Sequence, residues 1–142
     1  VRLDAAEARA RFAAARVARL ATVSADGLPH LVPVTFAVSG DEIVFAVDHK
    51  PKSTHALRRL ANIAANPAVS FLADEYDEDW TRLWWARADG TATVEEPGPV
   101  PLLVAKYPQY AERPPEGPVV ITRVTRWSGW AGTGQSGPGA VT

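Results

Sequence analysis

No cysteine occurs among the 142 residues. That excludes disulfides, thiolate catalysis, iron–sulfur ligation and cysteine-based zinc sites, and it fits a cytoplasmic protein. Methionine is absent as well, so no initiator residue is present, which points to a trimmed N-terminus. Charge of one sign is also lacking: 15 Lys and Arg against 16 Asp and Glu leave a net charge of -1. No global field therefore recruits nucleic acid or an anionic membrane. No apolar run approaches the length of a membrane span, and the start of the chain lacks a signal-peptide pattern. The three histidines, His30, His49 and His55, do not stand at metal-ligand spacing with one another or with a carboxylate, so no metal is expected. There is no Gly-x-Ser-x-Gly elbow and no glycine-rich dinucleotide fingerprint after a strand.

What is present is enough apolar character for one core, 46% of residues, in a chain of single-domain length. The opening "LDAAEARARFAAAR" predicts a short helix packed on the side of the fold. Asp4 is its cap, Glu7 stands in the capping-box position, and Ala8, Phe12 and Ala15 share a face. Strand patterns then follow at Val17–Ser24, Pro29–Val38 and Glu42–Val47, separated by turn chemistry at Ala25–Gly27 and Ser39–Asp41. Tight turns between three strands predict an antiparallel meander. Pro33 cannot donate to a ladder, so it marks an edge, a bulge or a place where something else meets the backbone.

A helix is expected at "HALRRLANIAAN", with Leu57, Leu60, Ala61 and Ala64 inward and Arg58 and Arg59 outside that face. "AVSFLAD", "RLWWARA", "TATVEE" and "PVVITRVTRW" read as four more strands, with Gly90 a turn or bulge between the second and third. "GPVPLLVAKYPQY" predicts a short helix ended by Pro108. The domain is expected to span residues 1–131, with 132–142 a linker-like tail. Six to seven short antiparallel strands with a few short helices predict a mainly β protein, a small closed or split barrel that hides its edges.

Two features invite a ligand. The first is "DHKPKST", Asp48–Thr54, which places Lys50, Pro51, Lys52, Ser53 and Thr54 between a strand and a helix. Ammonium groups, hydroxyls and helix N–H groups together suit a phosphate, although a solvated loop accounts for two lysines equally well. The second is the tryptophan set. Adjacent Trp84 and Trp85 must face opposite sides of a strand, so one packs while the other is available to a pocket. The acidic run Glu75–Asp79 reads as a solvated loop rather than a cation site.

Taken in order, "ARLATVSADGLPHLVPVTF", "IVFAVDHKPKST", "LRRLANIAANPAVSFLAD" and "DEDWTRLWWARADGTA" resemble the pyridoxamine 5′-phosphate oxidase-like split β-barrel family of flavin and deazaflavin proteins. The likeness runs from Val17 to about Trp130. It is closest to the actinobacterial branch that uses coenzyme F-420. The resemblance implies a homodimer with the cofactor in a groove at the dimer interface. It implies that Lys52 binds the cofactor phosphate, with Lys50 beside it and Ser53 and Thr54 as hydroxyl donors. It implies that Pro33, Val34 and Thr35 run under the ring and that Trp85 is supplied by the other subunit. The activity it implies is hydride transfer between coenzyme F-420 and an electron-poor small molecule such as an enone, quinone or tetrapyrrole. FMN in the same fold, as an oxidase or electron carrier, and a non-catalytic cofactor binder are the alternatives. No Tyr or His stands out in the sequence as a proton donor.

Overall fold

The computed structural model describes residues 1–47 and 54–133, with side chains described outside residues 54–57. The elements are β1 (Arg2–Leu3), α1 (Ala5–Ala14), β2 (Ala18–Val23), β3 (Pro29–Val34), β4 (Ala37–Ser39), β5 (Glu42–Ala46), α2 (Thr54–Ala65), β6 (Ala68–Glu75), β7 (Trp84–Glu95), α3 (Pro101–Lys106), α4 (Pro108–Glu112) and β8 (Val119–Ala131). A 3₁₀ turn at Trp80–Arg82 precedes β7. The strands form one antiparallel sheet in the order β3-β2-β6-β7-β8-β5-β4, with β1 added to β8. Its two end strands, β3 and β4, are consecutive in the chain, so the sheet wraps into a barrel split between them. This is the mainly β split-barrel architecture expected.

Three details differ from the sequence expectation, each for a physical reason. The predicted strand Pro29–Val38 is two strands that pair on opposite ends of the sheet, β3 with β2 and β4 with β5. The meander is therefore two hairpins rather than three adjacent strands. The break falls at Thr35 and Phe36, where the Tyr107 hydroxyl takes over the ladder's role. It accepts from the Phe36 N–H at 3.0 Å, and its hydrogen is shared by the carbonyls of Phe36 (3.0 Å) and Arg16 (2.9 Å). Conversely, the predicted strands at "RLWWARA" and "TATVEE" are one strand, β7, carried through a bulge at Asp89–Gly90. A Cβ on Gly90 would stand 2.3 Å from the Arg123 carbonyl oxygen, so only glycine allows that close approach. The third difference concerns α2. Its buried side carries Asn62 and Ile63 with Arg59 and Leu60 partly buried, whereas Ala61 and Ala64 are exposed. Asn62 is held inside by donating to the Thr22 hydroxyl at 3.0 Å, a buried polar pair that an apolar-periodicity argument cannot see.

Other expectations hold. Asp4 caps α1, accepting from the Glu7 N–H at 2.8 Å. Gly27 supplies the positive φ, 80°, of the first hairpin turn. Trp84 packs against the core and Trp85 faces out. The helix before Pro108 ends at Lys106, and Pro108 itself opens α4 at its first turn. Helix α1 packs against β7 and β8, as expected of a helix on the side of the fold, and drives Phe12 into the core. The ring is fully buried, with its centroid 4.6 Å from Phe36, 5.5 Å from Trp127 and 6.1 Å from Phe71.

Lys106 ties α3 to the end of α1. Its ammonium donates to the carbonyls of Ala15 (2.7 Å) and Ala13 (3.2 Å) and lies 3.9 Å over the Phe36 ring. Desolvation, reinforced by the Arg16 charge, lowers its pKa to about 8. Between pH 8 and the ordinary lysine range the unfolded chain then binds more protons than the folded one, so this group makes stability rise with pH. Burial raises the pKa of neighbouring Tyr107, which works the other way above about pH 10. The window is therefore about pH 8 to 10. With solvent screening at a half-buried group we expect a gain of about 1 kcal/mol across it. Urea unfolding at both ends of the window should show that rise in the native chain and a flatter profile in Lys106→Met.

Candidate functional site

The split in the barrel is also where a cleft opens. Val34 and Thr35, at the end of β3, form one wall; Ala46 and Val47, at the end of β5, form the other. Pro33, Arg59, Tyr110 and Pro115 complete a cavity of about 400 Å³. That lies within the ~300–1,000 Å³ typical of small-molecule sites. Strand β3 is an edge strand paired only with β2, which is why Pro33 is tolerated there. Arg59 reaches the cleft from α2, with its guanidinium carbon 5.9 Å from the centre of the Phe45 ring.

Tyr110 closes the cleft on the α4 side. Its hydroxyl is 3.1 Å from Thr35 Oγ1. Whichever of the two donates, the accepting hydroxyl keeps its own hydrogen, so the pair offers one further O–H to a ligand. Tyr110 is braced by Tyr107, edge-on at 5.7 Å, and Tyr107 is in turn fixed by its hydrogen bonds to Phe36 at the split and to the Arg16 carbonyl. Thr35 and Tyr110 also form the partition to a second hollow of about 430 Å³ lined by Arg16, Val17, Tyr107 and Gln109.

Among the residues singled out in the sequence, Pro33, Val34 and Thr35 therefore come together in one cleft. Lys50, Lys52 and Ser53 lie outside the described residues. Thr54 begins α2, and its side chain lies outside them as well. Val47, which leads into that segment, lines the cleft, and α2, which follows it, contributes Arg59. Trp85 is elsewhere. Pro33, Arg19, Leu72 and Arg87 are successive register partners across β3, β2, β6 and β7. Three strand spacings put Pro33 roughly 15 Å from Arg87, and Trp85 lies two residues further along β7. Trp85 is not among the residues that line the cleft.

Sequence reasoning missed Tyr110 and misplaced Arg59. The tyrosines at 107 and 110 are spaced i, i+3, which puts them on one helical face, but "YPQY" carries a proline that reads as a stop. Arg59 was set outside the helix face because Ala61 and Ala64 were counted as apolar contacts. Of the acidic run Glu75–Asp79, Glu75 ends β6 and the rest forms local turns: Asp77 accepts from the Asp79 N–H, and Asp79 caps the 3₁₀ turn through the Thr81 N–H and hydroxyl. Those hydrogen bonds to Thr81 hold the Asp79 carboxyl below its ordinary pKa. Among the described residues no group of three or more His, Asp or Glu could hold a metal, and no helix is long and apolar enough to cross a membrane.

The family model for pyridoxamine 5′-phosphate oxidase matches residues 5–131. The chain belongs to the pyridoxamine 5′-phosphate oxidase family. Solved structures similar to this family member include the FAD binding protein from Mycobacterium smegmatis, at 22% identity and a TM-score of 0.63, covering 92% of this chain and 97% of that one. A FAD-binding protein from Mesorhizobium loti matches at 22% identity and a TM-score of 0.60, covering 91% and 95%. A heme binding protein from Mycobacterium smegmatis matches at 25% identity and a TM-score of 0.68, covering 95% of this chain but 57% of that one. Among curated proteins no sequence matches. The structural likenesses agree with the split-barrel fold.

Proposed function

We propose that this family member is an oxidoreductase that holds a flavin-type ring in the cleft at the barrel split, and that the cofactor is coenzyme F-420. The observation that carries the reading is the convergence at one cleft of the edge strand Pro33–Thr35, the Thr35–Tyr110 hydroxyl pair, Arg59, and Val47, the residue that leads into the segment bearing Lys50 and Lys52. The residues present fit such a group. Pro33 and Val34 give an apolar strand for a flat ring to lie along. Thr35 and Tyr110 give hydroxyls for its polar edge. Arg59, Lys50 and Lys52 give cations for a phosphate. When bound, the cofactor supplies the hydride chemistry and the chain supplies binding, orientation and exclusion of water. The substrate class that follows is an electron-poor small molecule such as an enone, quinone or tetrapyrrole. FMN or FAD is the second reading, favoured by solved relatives described as FAD-binding. The absorbance of cofactor carried by the purified protein separates them, because flavins and the deazaflavin have different spectra.

The distance of Trp85 from the cleft favours a homodimer. Leu31 and Leu72 are 67% and 37% exposed on the outer face of β3-β2-β6-β7, and with Ala21 and Trp85, beside Arg19, Asp74 and Arg87, they line a shallow hollow of about 480 Å³. An apolar patch rimmed by charged residues suits a protein–protein contact. Pairing two copies through it would bring Trp85 of one subunit toward the cleft of the other. Light scattering is expected to show a dimer at micromolar concentration, and the double variant Leu31→Asp, Leu72→Asp is expected to be monomeric and to bind cofactor more weakly. A native monomer with full cofactor affinity would contradict a shared site.

A further inference from the structure

Two hollows meet at one pair of hydroxyls. The cleft at the barrel split and the hollow beside Arg16 and Gln109 both end on Thr35 and Tyr110. They are nearly equal in size, about 400 and 430 Å³. A ligand that spanned both would have about twice the room of one confined to either. The partition between them is the contact of the Tyr110 hydroxyl with Thr35 Oγ1 at 3.1 Å.

The two tyrosines at this place are held very differently. Tyr107 is buried in a small core with Ala37, Val44, Leu103 and Val119. Its hydroxyl is bound by the Phe36 N–H and by the carbonyls of Phe36 and Arg16. The Arg16 guanidinium covers its ring at 4.8 Å. Tyr110, three residues on, is half-buried against the edge of that core, and its hydroxyl has one partner among the described residues, Thr35. The helix that carries it, α4, has five residues and packs on α3. The Tyr110 N–H donates to the Tyr107 carbonyl at 3.0 Å, so the backbone beneath the side chain is anchored. The freedom left to Tyr110 is rotation of the side chain between staggered wells.

We propose that Tyr110 is a gate between the two hollows and sets the length of the ligand that the site accepts. Closed on Thr35, it confines a ligand to one hollow. Turned to another rotamer, it gives up a single hydroxyl–hydroxyl contact and the hollows become continuous. Tyr107 is the fixed post beside it, edge-on at 5.7 Å, and does not turn. That the cleft holds a flavin-type ring rests on the function proposed above, whereas the movement of the gate does not. With the ring in place, a short acceptor is held within the cleft, and a long one extends past the open gate into the second hollow.

The tyrosines of the chain are Tyr76, Tyr107 and Tyr110, so labelling with 3-fluorotyrosine gives three fluorine signals. Relaxation dispersion on the cofactor-free chain is expected to show two-state exchange at Tyr110 and none at Tyr107. Thr35→Val removes the partner hydroxyl at nearly constant shape and should raise the open population about fivefold, with the Tyr107 signal unmoved. No exchange at Tyr110, equal exchange at both tyrosines, or an open population unchanged in Thr35→Val would overturn the gate. Circular dichroism checks the fold, and should Thr35→Val fail to fold, the native dispersion result decides. The length rule is read from reduction of 1,4-benzoquinone and 2-decyl-1,4-benzoquinone, in which a hydride from added reduced coenzyme F-420 and a proton from water give the hydroquinone. Tyr110→Ala should raise kcat/KM for the decyl compound over benzoquinone about tenfold, the effect of burying about two further methylenes. An unchanged ratio would overturn the role of Tyr110 in selection. Turnover of neither quinone would count against the proposed activity, and the fluorine result would then decide the gate.

Discussion

Removing Arg59 or Lys52 is expected to raise the cofactor dissociation constant about ten- to a hundred-fold in each single variant. A charge-assisted contact to a phosphate contributes about 1.5–3 kcal/mol, and that difference sets the range. Arg59 lines the cleft from α2, and Lys52 lies in the segment between Val47, which also lines it, and α2. Lys50→Ala should cost less if its ammonium stands nearer solvent. The two main substitutions probe different sources of positive charge. Arg59→Ala tests the cleft as the structure describes it, while Lys52→Ala tests the role implied by resemblance. Titration of folded protein gives the answer. An Arg59→Ala variant with native affinity would remove the cleft from consideration. Native affinity in the Lys50, Lys52 double variant would leave the cleft and discard the phosphate role of the loop.

The second large effect concerns stability. Phe12→Ala should cost about 3–5 kcal/mol, enough to unfold a marginal domain. Phe12 is fully buried and touches the rings of Phe36, Phe71 and Trp127. Phe36 follows Thr35 at the barrel split, so the cavity left by Phe12 would lie under the residue that carries the cleft wall. We therefore expect Phe12→Leu, which keeps most of the volume, to retain a folded chain with a looser split and weaker cofactor binding. Denaturant unfolding of both variants measures the first effect. Cofactor titration of Phe12→Leu measures the second. A loss below about 1 kcal/mol in Phe12→Ala would show that the core does not depend on this ring.

How much of this was legible in the sequence depends on whether the cause was local. Asp4 and Glu7 mark the start of α1 because a cap and its N–H lie three residues apart. Trp84 and Trp85 part to opposite faces because a strand alternates. The edge position of Pro33 follows from its missing N–H. By contrast, nothing between Pro29 and Val38 announces a break, since every residue there suits a strand. The break is made by the Tyr107 hydroxyl, which arrives 71 residues later in the chain to take the Phe36 N–H. The inward side of α2 was misjudged for a related reason. Alanine reads as apolar at any helix position, while Asn62 reads as polar until Thr22, 40 residues away, is seen to receive it. Arg59 moved from outside to cleft wall with that rotation of the helix. Tyr110 became a site residue only once α4 was folded against Thr35. The phosphate segment shows the opposite balance. Lys50, Lys52, Ser53 and Thr54 were conspicuous in the sequence by type and order, and their role rests on that resemblance.

The central claim is that the cleft at the barrel split holds a phosphate-bearing deazaflavin. It is tested most directly by competitive titration of the full chain with coenzyme F-420 and FMN at low and high ionic strength. The account predicts that coenzyme F-420 binds more tightly, by a margin that shrinks as salt rises, because the exposed cations along its acidic tail are screened. Tighter binding of FMN under both conditions would contradict the coenzyme F-420 assignment, and failure of either cofactor to bind would contradict the site itself.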